Sequence, residues 1–507
     1  MLREVLYSLA GLVLLAYGTE WVLSLLDDPR EPKRLQSKIP LLGHLLGMIV
    51  HSSGYHGITS KQIDEEIYTV AIFNTKLYIA KTSRLTSIIQ KASRTVSFRP
   101  FMQTAAKKMG DANPGTYKAF GTDWTDDFSH CHKRSLAPGP RLDEQNLRMV
   151  ERALVDVDAL LGSGKDGVSN VFLLEWTRFA VVQASACGIF GVEHPFRDPK
   201  IDEAFWTWQS YLPLHMANLD ITGRGYAARE IVFDAVRKYN KSLPSDVSQV
   251  YLERLRTMRE AGIDEEELPK QQAAFCTAAF SNTVPIMHWT IYELFSRPEL
   301  LEQVRKEVVD KAISGTKETG FTLDVAALKT GCPLILSTFQ ETQRLRHVHA
   351  NIRKVISDTL LDGKYLLKAG HYVLMPGQPV HTNKATWGDS ADIFDPYRFM
   401  PKDAADGKSV APSSFVAWGA PPHLCPARQF ATTEILVVAA LLAIRCDIAP
   451  VGTGKWTNDP AVYTGDMQTI YCPKKDIEVE VKAREQWSGQ WRVAVGESTT
   501  RFSLASG

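Results

Sequence analysis

The chain holds 507 residues, with 58 Lys and Arg against 57 Asp and Glu and a formal net charge of +1. That balance, with no long basic run interleaved with aromatics, argues against a nucleic acid as the main partner and against a polyanionic substrate. Seven cysteines, an odd number widely spread with no CxxC pair or metal-ligand cluster, read as free thiols in a reducing compartment and not as a disulfide framework.

Residues 5–26 (VLYSLAGLVLLAYGTEWVLSLL) have about the length needed to span a bilayer as a helix and carry one charge, Glu20. No small-residue cleavage site follows convincingly, and a charged, proline-containing stretch comes next, so the segment reads as an uncleaved anchor. Arg3 precedes it, while Arg30, Lys33, Arg34 and Lys38 follow it; by the positive-inside tendency the rest of the chain stays cytosolic. Glu20 leaves a buried or interfacial helix open as the alternative. The expected organisation is a membrane anchor over 1–28, a stiff proline-containing hinge over 29–45, and a single body over 46–507.

Residues 69–80 (TVAIFNTKLYIA) form two β-rich runs around Asn74-Thr75, which reads as a hairpin. After Phe98 the pattern turns amphipathic and helical, with candidate helices over 124–134, 144–161, 170–190, 202–212, 227–240 and 248–261 separated by Gly, Pro and Asp. Residues 268–295 are too apolar for a surface helix. Within that run Pro285, lacking an N–H, leaves the carbonyl of Ser281 unpaired and is expected to kink the helix. The helix 333–346 (PLILSTFQETQRLR) carries Glu341 and Arg344 three residues apart, on one face. A β-rich part over 351–373 contains a hairpin turn at 360–364. Near the C-terminal end a loop containing Gly419, Ala420, Pro421 and Pro422 delivers Cys425 just before an apolar helix reaching Ile444, and strands follow to about Val481. Unpaired amide N–H groups at a helix start favour an anion, so the Cys425 thiol is expected to be more acidic than a free thiol. A thiolate is what haem iron accepts as an electron-rich axial ligand. The polar tail after Arg484 has no readable role.

These stretches together resemble the cytochrome P-450 family of haem-thiolate enzymes. Trp418, Gly419 and Cys425 match its cysteine loop, continued by Pro426, Arg428, Phe430 and Ala431. Pro421, His423 and Ala427 depart from its usual glycine, basic residue and glycine. In the apolar run Ala278 and Ala279 match the small pair of the family's central helix, while Ser281 and Asn282 occupy its acid and threonine positions and Thr283 follows. The Asn-Thr-x-Pro pattern with a downstream Trp looks most like the branch holding cholesterol 7α-hydroxylase and prostacyclin synthase. Glu341 and Arg344, with Arg398 of FDPYRF at 394–399, resemble the family's buried Glu-Arg-Arg cluster; His381 and Trp387 are also in place. Arg353 follows at the spacing of a propionate-binding arginine, His423 resembles its partner, and His132 and Arg134 are further candidates from the third helix. The aromatic stretch 204–216 resembles the variable substrate-access lid.

The resemblance implies a fold that is mainly α with a smaller β part, haem held by Cys425, and monooxygenation managed by Ser281, Asn282 and Thr283. It implies electrons from NADPH through a separate flavoprotein reductase, and the endoplasmic reticulum membrane as the site. It also implies a hydrophobic small-molecule substrate of terpenoid, sterol or polyketide-like character from specialised metabolism. Two other readings stay open: a haem-thiolate isomerase or dehydratase that rearranges a peroxide without a reductase, and a non-enzymatic haem- or sterol-binding protein.

Overall fold

The computed structural model describes residues 2–162, 164, 167–401, 410–420, 423–452, 455–457, 460–465, 467–496 and 500–506. Pro421 and Pro422, singled out in the sequence, lie outside the described residues. Among the described residues helices dominate, and five small sheets account for the strands. The body is thus mainly α with a smaller β part. Most expected helices are present: Trp124–Ser135, Pro140–Gly162, Pro199–Ala217 and Arg224–Asn240 reach beyond the expected bounds, and Gln249–Glu260 is one residue shorter at each end. Ser248 caps the last of these by accepting the Tyr251 N–H, which is why the helix starts one residue later than the pattern suggested. The run 170–190 instead divides into a strand, Val168–Phe172, and a helix, Leu173–Phe190.

The first hairpin pairs Ile67–Ile72 with Thr75–Ala80, Ile72 facing Thr75. Its turn is therefore Phe73-Asn74, one residue earlier than expected, with Phe73 in the left-handed region. Tyr372–Pro376 lies parallel to the second strand and antiparallel to Ala350–Val355, completing with Val96–Ser97 a five-stranded sheet. The second expected hairpin pairs Thr359–Leu361 with Tyr365–Leu367 around Asp362 and Gly363, both at positive φ.

Leu2–Leu25 is a helix, but among the described residues no helix is long and apolar enough to cross a membrane. The single-pass anchor expected over 5–26, and the endoplasmic reticulum assignment built on it, lose their support. Gly18, Thr19 and Glu20 interrupt the apolar run, and the Glu20 carboxylate accepts the Leu41 N–H at 3.2 Å. The stretch expected as a hinge is tied to the body: Leu35 N–H bonds Thr69 O at 2.8 Å, and Lys76 bridges Asp27 and Glu31.

The core centres on the helix that follows the cysteine, Arg428–Arg445, buried at every position from Gln429 onward. A helix that is apolar around its whole circumference needs neighbours on all sides. Here they are Pro140–Gly162, Leu173–Phe190, Pro298–Ala312 and the helix Thr283–Phe295. The polar tail has a structural role that its sequence does not announce. Trp491–Ala494 pairs with Gly320–Asp324, and the Gln429 amide exchanges two hydrogen bonds with the Phe502 backbone, at 2.9 and 3.0 Å.

Candidate functional site

Residues 268–295 form two helices, Leu268–Phe280 and Thr283–Phe295, broken at Ser281-Asn282. The break falls one turn before Pro285, where the missing N–H would have bonded the Ser281 carbonyl. Ser281 Oγ donates to Thr277 O, and Thr283 Oγ1 donates to Ala279 O at 3.3 Å. Asn282 Oδ1 accepts the Thr469 N–H at 3.0 Å, tying the break to the C-terminal strand region. These two helices form one wall of a cavity of about 560 Å³ that Asn282 and Thr283 line and Ser281 does not.

Opposite stands the cysteine loop. Gly419-Ala420 pairs with His423-Leu424 as a tight hairpin, and Cys425 N–H bonds Trp418 O at 2.8 Å. Gly419 has φ +86°, and a Cβ there would meet the His423 carbonyl at 2.7 Å, so the hairpin requires glycine. Cys425 lines the cavity, three residues ahead of the helix Arg428–Arg445. The acidity expected of its thiol is not found. Burial pushes its pKa up, against the smaller opposing effects of the Ala427 N–H and Arg428. A coordinating metal deprotonates a thiol outright, so a raised pKa does not bar this residue from serving as a ligand.

Glu341, Arg344 and Arg398 meet in one buried cluster. Arg344 donates to both Glu341 oxygens at 2.7 and 2.8 Å, and Arg398 Nε donates to Oε1 at 3.1 Å. Both arginines also hold backbone carbonyls of the 381–393 segment, which pins that segment to the helix Pro333–Arg346. His381 bridges from this cluster to the cysteine loop: its Nδ1 donates to Arg344 O at 3.0 Å and its Nε2 accepts the Val416 N–H at 2.9 Å. Burial lowers its pKa to about 3, fixing the neutral tautomer that this bridge needs.

Arg353 is 4% exposed and donates to Ile352 O while its guanidinium packs on Phe98. Among the described residues no carboxylate pairs with it, and desolvation lowers its pKa to about 10. A buried cation of this kind calls for an anion. Lys133 and His423 line the cavity, and Arg353 lies behind its wall, against Phe98 and beside His423; His423, desolvated and facing Arg353 and Lys133, is lowered to about 4. Trp418 Nε1 and Asn351 Nδ2, both on the cavity wall, are buried without partners among the described residues. A group carrying two carboxylates and a metal that takes a thiolate fits these donors. Of the two third-helix candidates, Arg134 is exposed and off the cavity wall. His132 lines the cavity and is buried, with Nδ1 on Phe128 O and Nε2 accepting from Arg254 at 2.5 Å. The sequence reading missed Lys133, one residue away, and Arg254, one of several arginines on an amphipathic helix. Only its place among Val250, Leu255 and Met258, on the inward face, sets Arg254 apart.

The family model described as Cytochrome P450 matches residues 225–473. A cytochrome P450 monooxygenase of Hypoxylon pulicicidum, nodJ, is 30% identical over 99% of both chains. Another, of Gibberella zeae, is 26% identical over 93% of both. A protein of Fusarium oxysporum named bifunctional cytochrome P450/NADPH–P450 reductase is 27% identical over 44% of this chain and 20% of its own length. These relatives give no support to the branch of cholesterol 7α-hydroxylase and prostacyclin synthase. The chain belongs to the cytochrome P450 family: it is an oxidoreductase, a monooxygenase whose haem iron is bound through a cysteine thiolate.

Proposed function

We propose that Cys425 is that thiolate and that the cavity beyond it admits a hydrophobic small molecule for oxidation at an unactivated carbon. The observation that carries this is the convergence on one cavity of Cys425 with the broken central helix, beside a buried Arg353 that has no carboxylate partner among the described residues. The bound haem supplies the oxygen activation, favoured by electron donation from sulfur. Lys133 and His423 on the cavity wall, with Arg353 beside His423, would hold its carboxylates by charge-assisted bonds. Glu341, Arg344 and Arg398 carry no chemistry and hold the loop in place.

Proton delivery falls to Thr283. Thr283 lines the cavity, and the 3.3 Å bond of its hydroxyl to Ala279 O is long for an O–H donor, so it can turn toward a water. Ser281 does not line the cavity, and its hydroxyl is committed to Thr277 O. Asn282 fixes the break in place through Thr469, a positioning role its amide fills better than proton donation. A peroxide-rearranging enzyme would need no such hydroxyl, which favours monooxygenation.

Electrons come from an NADPH-dependent flavoprotein reductase, a reading supported by the fused Fusarium relative. Substrates of terpenoid, sterol or polyketide-like character from specialised metabolism fit the apolar wall formed by Met102, Met109, Phe120 and Phe275. Exposed Leu14, Leu15, Trp21 and Leu25 on the N-terminal helix support contact with a lipid surface. The test is reconstitution with substrate under labelled dioxygen, with and without reductase and NADPH. Label in the product only when both are present is the expected result. Product formed without reductase and without label would establish the peroxide isomerase instead.

A further inference from the structure

The cavity wall carries two basic side chains, Lys133 and Arg254, and no Asp or Glu among its described residues. Lys133 lies toward His423 and Arg353, where the cofactor's carboxylates are accounted for. Arg254 stands apart from that group. It projects from Gln249–Glu260 between the rings of Phe128 and Phe275, at 4.9 and 4.3 Å from their centroids, and is 5% exposed. Its partners are all neutral: Gln272 Oε1 at 2.6 Å, Gln271 O at 2.8 Å and His132 Nε2 at 2.5 Å. A guanidinium has five N–H donors. Three are used, which leaves one on each terminal nitrogen without a partner among the described residues.

Removing a guanidinium from water is costly unless an anion compensates it, and here only neutral dipoles and two aromatic faces do so. If its purpose were only to join helices, a neutral amide would serve without that cost. We propose that Arg254 binds a carboxylate of the substrate, so that the enzyme's natural ligand is a hydrophobic acid held by one end. This rests on the monooxygenase reading above and narrows its substrate class. Phe275, beside the guanidinium, lies seven residues before Asn282, about 10 Å along the helix at 1.5 Å per residue. The carbon to be oxidised, beside Thr283, is therefore separated from the acid by roughly that span.

The test uses full-length, haem-loaded protein titrated by calorimetry and by the haem spectrum with two matched pairs: dodecanoate with methyl dodecanoate, and abietate with methyl abietate. At least one acid is expected to bind about tenfold to a hundredfold more tightly than its ester, the range of a charge-assisted hydrogen bond. Arg254→Gln should level the pair with haem content unchanged. Acids binding no more tightly than their esters, or a preference that survives in Arg254→Gln, would overturn the proposal. So would a folded Arg254→Gln that no longer holds haem, which would assign Arg254 to the cofactor. If that variant does not fold, Arg254→Lys decides: it keeps the charge but loses the fork, and must weaken the acid several-fold while leaving the ester unchanged. A wild-type protein lacking the red-shifted carbon monoxide spectrum of a thiolate haem would instead defeat the functional reading beneath it.

Discussion

Replacing His381 by Gln tests whether the cysteine loop depends on a neutral imidazole. In the folded chain burial holds His381 at a pKa of about 3, against an ordinary value of 6.5. The folded pKa is depressed, so the unfolded chain binds the extra proton below pH 6.5. The stability contribution is whole above 6.5, declines as pH falls, and is gone at about pH 3. At pH 5, one and a half units below 6.5, this ring removes about 2 kcal/mol at roughly 1.4 kcal/mol per unit. An unfolding entropy of about 2 cal/mol/K per residue makes that a fall of about 2 °C in Tm for a chain of this length. Gln keeps a donor for Arg344 O and an acceptor for the Val416 N–H but does not titrate. The variant should cost about 1 kcal/mol at pH 7.5 and show a Tm profile flatter by about 2 °C between pH 7.5 and 5. Far-UV circular dichroism melts at a fixed scan rate, read alongside haem retention, make the comparison. Parallel profiles for wild type and variant would refute the neutral bridge.

Cys425→Ser should abolish the thiolate-type carbon monoxide spectrum of the reduced protein; its survival would move the ligand elsewhere. Glu341→Ala strands two buried cations and should cost roughly 3–5 kcal/mol. Arg398→Met leaves the two-bond Glu341–Arg344 pair and should cost about 1–3 kcal/mol, so equal costs in urea denaturation would contradict the shared carboxylate. Glu434 is buried against Ser185 Oγ at 2.8 Å, and burial raises its pKa to about 8. Its proton stabilises the fold fully below about pH 4.5, and that contribution is lost as pH rises toward 8. Glu434→Gln should therefore remove a decline of up to about 1.4 kcal/mol per pH unit over that window, visible as a flatter Tm profile. Asn282→Ala, by freeing Thr469, should raise the peroxide released per NADPH consumed in the reconstituted system.

Helices with a regular apolar face, and motifs whose spacing is local, could be read from the sequence. Glu341 and Arg344 share a face by helix geometry alone, and the Asp362-Gly363 turn follows from residues that tolerate positive φ. What the sequence could not convey depends on partners distant in the chain. The Cys425 thiol was expected to be acidic from its place before a helix, yet the desolvation that reverses this comes from the surrounding body. The N-terminal run has the length of an anchor, but its apolar character is interrupted where Glu20 meets Leu41. Arg254 looks like any other arginine until Gln249–Glu260 is seen to turn it inward.

His381 also explains why the Glu-Arg-Arg cluster and the cysteine loop, some eighty residues apart, act as one unit. Glu341 fixes Arg344, whose carbonyl accepts from His381 Nδ1; His381 Nε2 in turn takes the Val416 N–H. Val416 O accepts the Gly419 N–H at 3.0 Å, and Trp418 O accepts the Cys425 N–H at 2.8 Å. Every link is a buried or half-buried hydrogen bond whose loss leaves a polar group unsatisfied, at about 1–3 kcal/mol each. On the far side Gln429, four residues beyond the cysteine, is held by the Phe502 backbone of the tail. Cys425 is therefore fixed from two directions, in the chain before it and in the helix after it. A change at Glu341 should accordingly show itself at the haem before it shows in the helices that surround it.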